Sequence, residues 1–185
     1  MADASRKPRR SPREAPEPPG PEAALEVAVR FLGTRPRTRW ELERRLRRAG
    51  ADDAVVDATL DRLAAMGYLD DAAFARWWAE QRDRHAPRGR RMLEAELRQR
   101  GVPRDVIEAH RAEPVAERAA EDEGLPATDA ERASVALVRH LRGRPLPTDP
   151  KALQRVGMFL VRRGFDPETV RASIRSLTMG ESDEA

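Results

Sequence analysis

The sequence predicts an all-α protein, an elongated tandem array of three three-helix repeats. Three observations carry that expectation. One helical phrase occurs three times, as Leu42, Leu46, Gly50, Val56, then Leu93, Leu97, Gly101, Ile107, then Val156, Leu160, Gly164, Val170. Of the 185 residues, 39% are hydrophobic and 36% charged, which suits a thin stacked core better than a globule. No convincing strand is present, because apolar and polar residues nowhere alternate over a sufficient run. In each phrase the four-residue spacing puts two apolar groups on one helix face. The glycine supplies the left-handed backbone that ends the helix, and the later apolar residue starts the next buried stripe.

Residues 1–20 combine five basic side chains with five prolines and are expected to form a disordered basic tail. The first repeat, 21–67, opens at Pro21, a suitable first-turn proline, with an apolar stripe of Leu25, Val29 and Leu32 ending at Gly33. Thr38-Arg39-Trp40-Glu41 reads as a capping box that starts the second helix, which runs to Gly50. A third helix from about Asp52 carries Val56, Leu60 and Leu63 to Gly67.

The second repeat, 68–113, opens with an aspartate cap at Asp70 or Asp71 and a stripe of Phe74, Trp77 and Trp78. The turn-forming loop His85 to Gly89 leads to the helix of Leu93 and Leu97, and Pro103 is placed to start the next helix through Val106 and Ile107. An acidic connector from Glu113 to Asp129 is expected to lengthen the glycine spacing from 51 to 63 residues. The third repeat, within 114–178, has helices bearing Val135, Val138 and Leu141, then Val156 and Leu160, then Val170, Ile174 and Leu177. Residues 179–185 read as a frayed tail.

Charge is segregated although the net value is only +3: segment 30–48 carries +6, 49–81 −5, 82–104 +5, 105–131 −7 and 132–175 +7. Base thus alternates with acid in step with the repeat, and stacked units would align arginines along one face. The absence of cysteine fits a reducing cytoplasm and excludes disulfides and thiolate metal sites. No apolar run reaches the length of a membrane span, and the amino terminus lacks a secretory core.

Nothing in the chain calls for an enzyme or a cofactor. It lacks a phosphate-binding GxxxxGK[ST] loop, an HExxH pair and a GxSxG elbow. His85, His110 and His140 have no second ligand at helical spacing and read as structural or surface residues, and Asp70 and Asp71 as cap and dipole partner rather than a catalytic pair. Phe74, Trp77 and Trp78 read as core, with Trp40 a contact candidate. A DNA-reading helix-turn-helix is disfavoured, because the helix after Gly50 presents Asp52, Asp53, Asp57 and Asp61 where a base-reading helix needs donors.

The stretch Gly67-Tyr68-Leu69-Asp70-Asp71-Ala72-Ala73-Phe74-Ala75, followed by Arg82, Gly89, Leu97 and Gly101, resembles the RecX family, small bacterial regulators of the RecA recombinase. Arg162-Arg163-Gly164-Phe165 is similar to that family's carboxy-terminal phrase. The resemblance runs from about Pro21 to Leu177. It implies a non-enzymatic, cytoplasmic modulator of recombination and SOS DNA repair that lodges along the groove of a RecA filament on single-stranded DNA. Such a binder blocks filament growth and suppresses ATP hydrolysis and strand exchange. A monomer with weaker direct DNA binding is expected, and a helical module contacting nucleic-acid phosphates without RecA is the alternative. The arginines expected on the shared face are Arg37, Arg39, Arg44, Arg45 and Arg48, then Arg88, Arg90, Arg91 and Arg98, then Arg155, Arg162 and Arg163.

Overall fold

The computed structural model describes residues 17–113 and 124–183, with side chains described to Met179. The expected disordered tail falls largely on residues 1–16, and part of the connector on 114–123; both lie outside the described residues. Among the described residues there are nine helices: α1 Pro21–Leu32, α2 Arg39–Arg48, α3 Asp53–Ala65, α4 Asp71–His85, α5 Arg90–Gln99, α6 Arg104–Ala112, α7 Asp129–Leu141, α8 Pro150–Arg162 and α9 Pro167–Asp183. Their main contacts join α1 to α3, α4 to α6 and α7 to α9, so each group of three packs on itself. Three separate apolar clusters result, one per group, here called modules 1, 2 and 3.

The recurring phrase builds each core. Its nine apolar residues are all buried, from Leu42, Leu46, Val56, Leu97 and Leu160 at 0% exposure to Leu93, Val156 and Val170 at 6%. Truncating one of the buried leucines to alanine costs about 2–5 kcal/mol. Gly50, Gly101 and Gly164 adopt φ of +90°, +75° and +88°. The residue after each glycine reaches back to the helix in the same way, with Ala51 N–H donating to Leu46 O, Val102 to Leu97 O and Phe165 to Leu160 O. These are Schellman-type ends, and the residue after the glycine is buried in all three. Asp52, Asp70 and Asp149 cap α3, α4 and α8, and Thr128 with Glu131 forms a capping box on α7.

Several expectations are corrected. In α1 the buried residues are Ala24 and Ala28, whereas Val29 is 51% exposed. In α7 they include Ala133, Ala136, Leu137 and Leu141, whereas Val138 is 54% exposed. Ala75 and Ala79 occupy the same place in α4. The first helix of each module therefore turns small side chains to the core, beside Phe74 and Trp78 in α4 and Leu137 and Leu141 in α7, and the alanines are invisible to a search for large apolar residues. Pro103 is the residue before α6 rather than its first. α9 is described as far as Asp183, within the stretch expected to fray. The added length of the third repeat is also divided. Asp71 and Asp129, which open α4 and α7, are 58 positions apart, so part of the insertion sits in the connector and part in the α7–α8 loop.

Candidate interaction face and module joints

The modules meet through helix ends. Register with the phrase makes Thr38 equivalent to Gly89, Arg39 to Arg90, and Arg100 to Arg163. Both joints use these positions alike. At the first, the Thr38 hydroxyl donates to Arg100 O at 2.6 Å, and Arg39 N–H donates to Asp71 Oδ1 at 2.9 Å. At the second, Gly89 N–H donates to Arg163 O at 2.9 Å, and Arg90 N–H donates to Asp129 Oδ2 at 3.0 Å. In each, the glycine turn closing one module's second helix butts against the start of the preceding module's second helix. The acid that opens a module's first helix caps that same start.

Space at these contacts is fully used. A β-carbon on Gly101 would collide with the Trp40 side chain, one on Gly164 with Met92, and one on Gly89 with the Gly164 backbone. Thr38 and Gly89 are buried, Thr38 at 0% exposure. Trp40, at 38% exposure, is thus partly engaged in the first joint rather than a free contact residue.

Charge is threaded through both joints. Glu41 Oε1 accepts from Arg35 at 2.8 Å and from Arg100 at 3.1 Å, while its other oxygen completes the capping box with Thr38. The Arg100 guanidinium lies 3.7 Å from the Trp78 ring centroid, and Arg82 lies 4.4 Å from it. Glu96 accepts from Trp78 Nε1 at 2.9 Å and Arg82 Nε at 2.7 Å. Burial, then the charges of Arg35 and Arg82, lower the Arg100 pKa against the pull of Glu41; the guanidinium stays cationic.

The second joint has an addition. Arg132 of α7 forms a bidentate pair with Asp83 of α4, with Nε–Oδ1 and Nη2–Oδ2 both 2.8 Å and side-chain exposures of 8% and 5%. Burial disfavours the charged Arg132, but the Asp83 hydrogen bonds and charge outweigh it and raise the pKa.

The twelve sequence-chosen arginines divide by environment. Arg37, Arg88 and Arg163 are half-buried and engaged in contacts of the fold. Arg37 donates to Phe31 O and Thr34 Oγ1 and covers the Phe31 ring, Arg88 Nε lies 3.6 Å from Glu96, and Arg163 donates to Pro87 O at 3.2 Å. Arg39, Arg44 and Arg98 are exposed but engaged, with Asp61, the Trp40 ring and Glu94 respectively. Arg45, Arg48, Arg90, Arg91, Arg155 and Arg162 are exposed and their guanidiniums have no partner among the described residues. Thr38 and Asp71 were read from the sequence only as helix-start residues, and Arg100, Asp83 and Arg132 were not singled out; the Arg-Gly pair at both 100–101 and 163–164 was the available signal for the joint.

His110 meets Glu113 at 3.0 Å and His140 stacks on Phe159 at 3.8 Å. No group of three potential metal ligands occurs among the described residues, nor any helix long and apolar enough to cross a membrane.

Comparison with known proteins agrees with this repeat. Residues 24–63 match the model of the RecX first three-helix domain, and residues 70–110 that of the second. The chain is 40% identical over 157 residues to Regulatory protein RecX of Mycobacterium avium, covering 83% of this chain and 84% of that one. It is 40% identical over 159 residues to the protein of the same name from Thermobifida fusca, covering 80% and 79%. The crystal structure of RecX from Lactobacillus salivarius superposes with a TM-score of 0.68 at 14% identity, over 86% of this chain and 97% of that chain, a likeness of fold. The chain belongs to the RecX family of non-enzymatic regulatory proteins.

Proposed function

We propose that the protein binds along the groove of a RecA filament on single-stranded DNA and inhibits filament extension, ATP hydrolysis and strand exchange, acting in the cytoplasm as a monomer without a cofactor. The observation that carries this reading is the set of six exposed, uncommitted arginines spread over all three second helices: Arg45 and Arg48 on α2, Arg90 and Arg91 on α5, Arg155 and Arg162 on α8. The repeated joints hold these helices in a fixed series, so exposed guanidiniums are offered by every module, which suits the repeating carboxylates and phosphates of a nucleoprotein filament. Arg39 and Arg98 exchange weak surface ion pairs, and Arg44 its place over the Trp40 ring, for partner contacts at little cost.

The test compares binding to single-stranded DNA alone with binding to the same DNA coated by RecA, at physiological salt. Preference for the coated filament is expected. Equal affinity would instead identify a general nucleic-acid module acting through phosphates. Charge reversal at Arg45, Arg48, Arg90 and Arg91 should abolish inhibition of RecA ATPase while leaving the far-ultraviolet circular dichroism unchanged. A folded variant that inhibits fully would remove these residues from the interface.

A further inference from the structure

Modules 1 and 2 each receive the turn of the following module at the start of their second helix. Module 3 has no follower among the described residues, and the corresponding place is an open cleft of about 800 Å³ between the end of α7, the α7–α8 loop and α8. Register identifies it: Ala152 and Arg155, which line the cleft, are equivalent to Thr38 and Glu41 of module 1 and to Gly89 and Met92 of module 2. The position that holds the acid receiving Arg100 at the first joint therefore holds an arginine at the free end. The charge of the socket is inverted.

Two further differences shape what it takes. α8 begins three residues earlier than its counterparts, and Asp149 already accepts from Ala152 N–H at 2.8 Å, so the amide equivalent to that of Gly89 does not await a carbonyl. Recognition falls to side chains, with Arg144, Arg155 and Arg162 around an apolar lining that includes Pro147, Met158 and Phe159. Met158 is 46% exposed, one of the few large apolar side chains left uncovered.

We propose that this terminal cleft docks an acidic amphipathic segment of a partner protein, apolar side chains on the floor and carboxylates on the arginine rim. Charge complementarity selects an anionic partner. The apolar, proline-bearing floor favours a polypeptide over a nucleic-acid strand, since the Phe159 ring already carries His140 at 3.8 Å and the Arg163 guanidinium at 4.6 Å and is not a free platform for a base. The proposal rests on the reading of Arg155 and Arg162 as partner-facing residues, but not on the identity of the partner.

His140 reports on the cleft it lines. Burial and then the charges of Arg144, Arg163, Arg142 and Arg162 lower its pKa, so a bound anion should move it back up. In the full chain, the His140 ring proton signals are followed while adding a short helical peptide alternating leucine and glutamate faces, its lysine-for-glutamate counterpart, or oligothymidylate. The acidic peptide is expected to shift His140 and raise its pKa, and to bind about tenfold or more tighter than the basic peptide. Arg155→Glu should weaken the acidic peptide, and reversal of Arg144, Arg155 and Arg162 together should transfer preference to the basic one. No shift with either peptide, equal binding of both, or tighter binding of oligothymidylate at the same protons would overturn the proposal. So would a His140 shift on removing residues 181–185, which would make the chain's own acidic end the occupant. Filament co-sedimentation of the same variants is read separately: peptide binding lost with filament binding intact refutes only the filament reading of Arg155 and Arg162, and peptide binding absent in the unaltered chain refutes only the cleft.

Discussion

The two joints reach one geometry by different chemistry. At the first, a threonine hydroxyl holds the Arg100 carbonyl and a glutamate receives the Arg100 guanidinium. At the second, a backbone amide holds the Arg163 carbonyl, no glutamate stands at the equivalent position, and the interface instead carries the Asp83–Arg132 pair, whose arginine also reaches the capping Asp129 at 3.4 Å. What recurs is the placement of the glycine turn and the acid that caps the preceding module's second helix, both directed at backbone groups. What varies is the side chain that fastens them. A tandem array of this kind keeps its pitch through main-chain contacts while its fasteners are exchanged module by module.

That comparison is most severely tested at the fastener unique to the second joint. Arg132→Ala should cost about 3–5 kcal/mol in denaturant unfolding, because it takes the bidentate arginine away from the buried Asp83 carboxylate. Replacing both partners, with Arg132→Met and Asp83→Leu, should recover most of the loss. A single-variant cost near that of a surface pair would mean that the backbone contacts alone hold the joint. Next is Gly89→Ala, in which the added methyl meets the Gly164 backbone and nothing flexible can yield. An overpacking cost of about 1–3 kcal/mol is expected, with a change in the distance between spin labels on modules 2 and 3 and none between modules 1 and 2.

At the first joint, Thr38→Ala removes a helix cap and a buried donor together and should cost about 1–2 kcal/mol, whereas Thr38→Ser should stay close to the parent. Equal losses for both would show that the methyl group rather than the hydroxyl fastens this joint. The smallest effect lies at the free end. The His140 pKa is depressed below 6.5, so the native state binds that proton less readily than the unfolded chain. Stability should therefore fall as pH drops through 6.5 and level off below the native value, and His140→Phe should flatten this part of the urea-midpoint profile.

The second and third helices of each module were legible because their signals are local. Leucine at four-residue spacing, a glycine requiring positive φ and a capping residue each state their role within a few positions. The first helices were less legible in detail: Ala24, Ala28, Ala133 and Ala136 face the core, and alanine carries no weight in a pattern built on large apolar residues, so Val29 and Val138 were counted with core neighbours such as Leu25, Leu32 and Leu141 although they are exposed. Of the candidate site, the exposed members were evident from charge, but the inward turn of Arg37, Arg88 and Arg163 was not. Whether an arginine reaches water or a neighbouring module depends on partners as distant in sequence as Pro87 is from Arg163. The Asp83–Arg132 pair was hidden for the same reason, since each residue alone reads as an ordinary polar position on a helix.

Because each joint is keyed to the register of helix ends and not to the length of chain between them, the spacers are free to drift. The third unit already accommodates extra residues on both sides of α7 while Gly89 still hydrogen-bonds the Arg163 carbonyl as Thr38 does that of Arg100. Insertions between α6 and α7 should thus be silent, whereas one residue inserted between Thr38 and Leu42 would rotate a helix start by about 100° and unlatch the units. Natural length variation, tags and crosslinking handles all belong in those spacers.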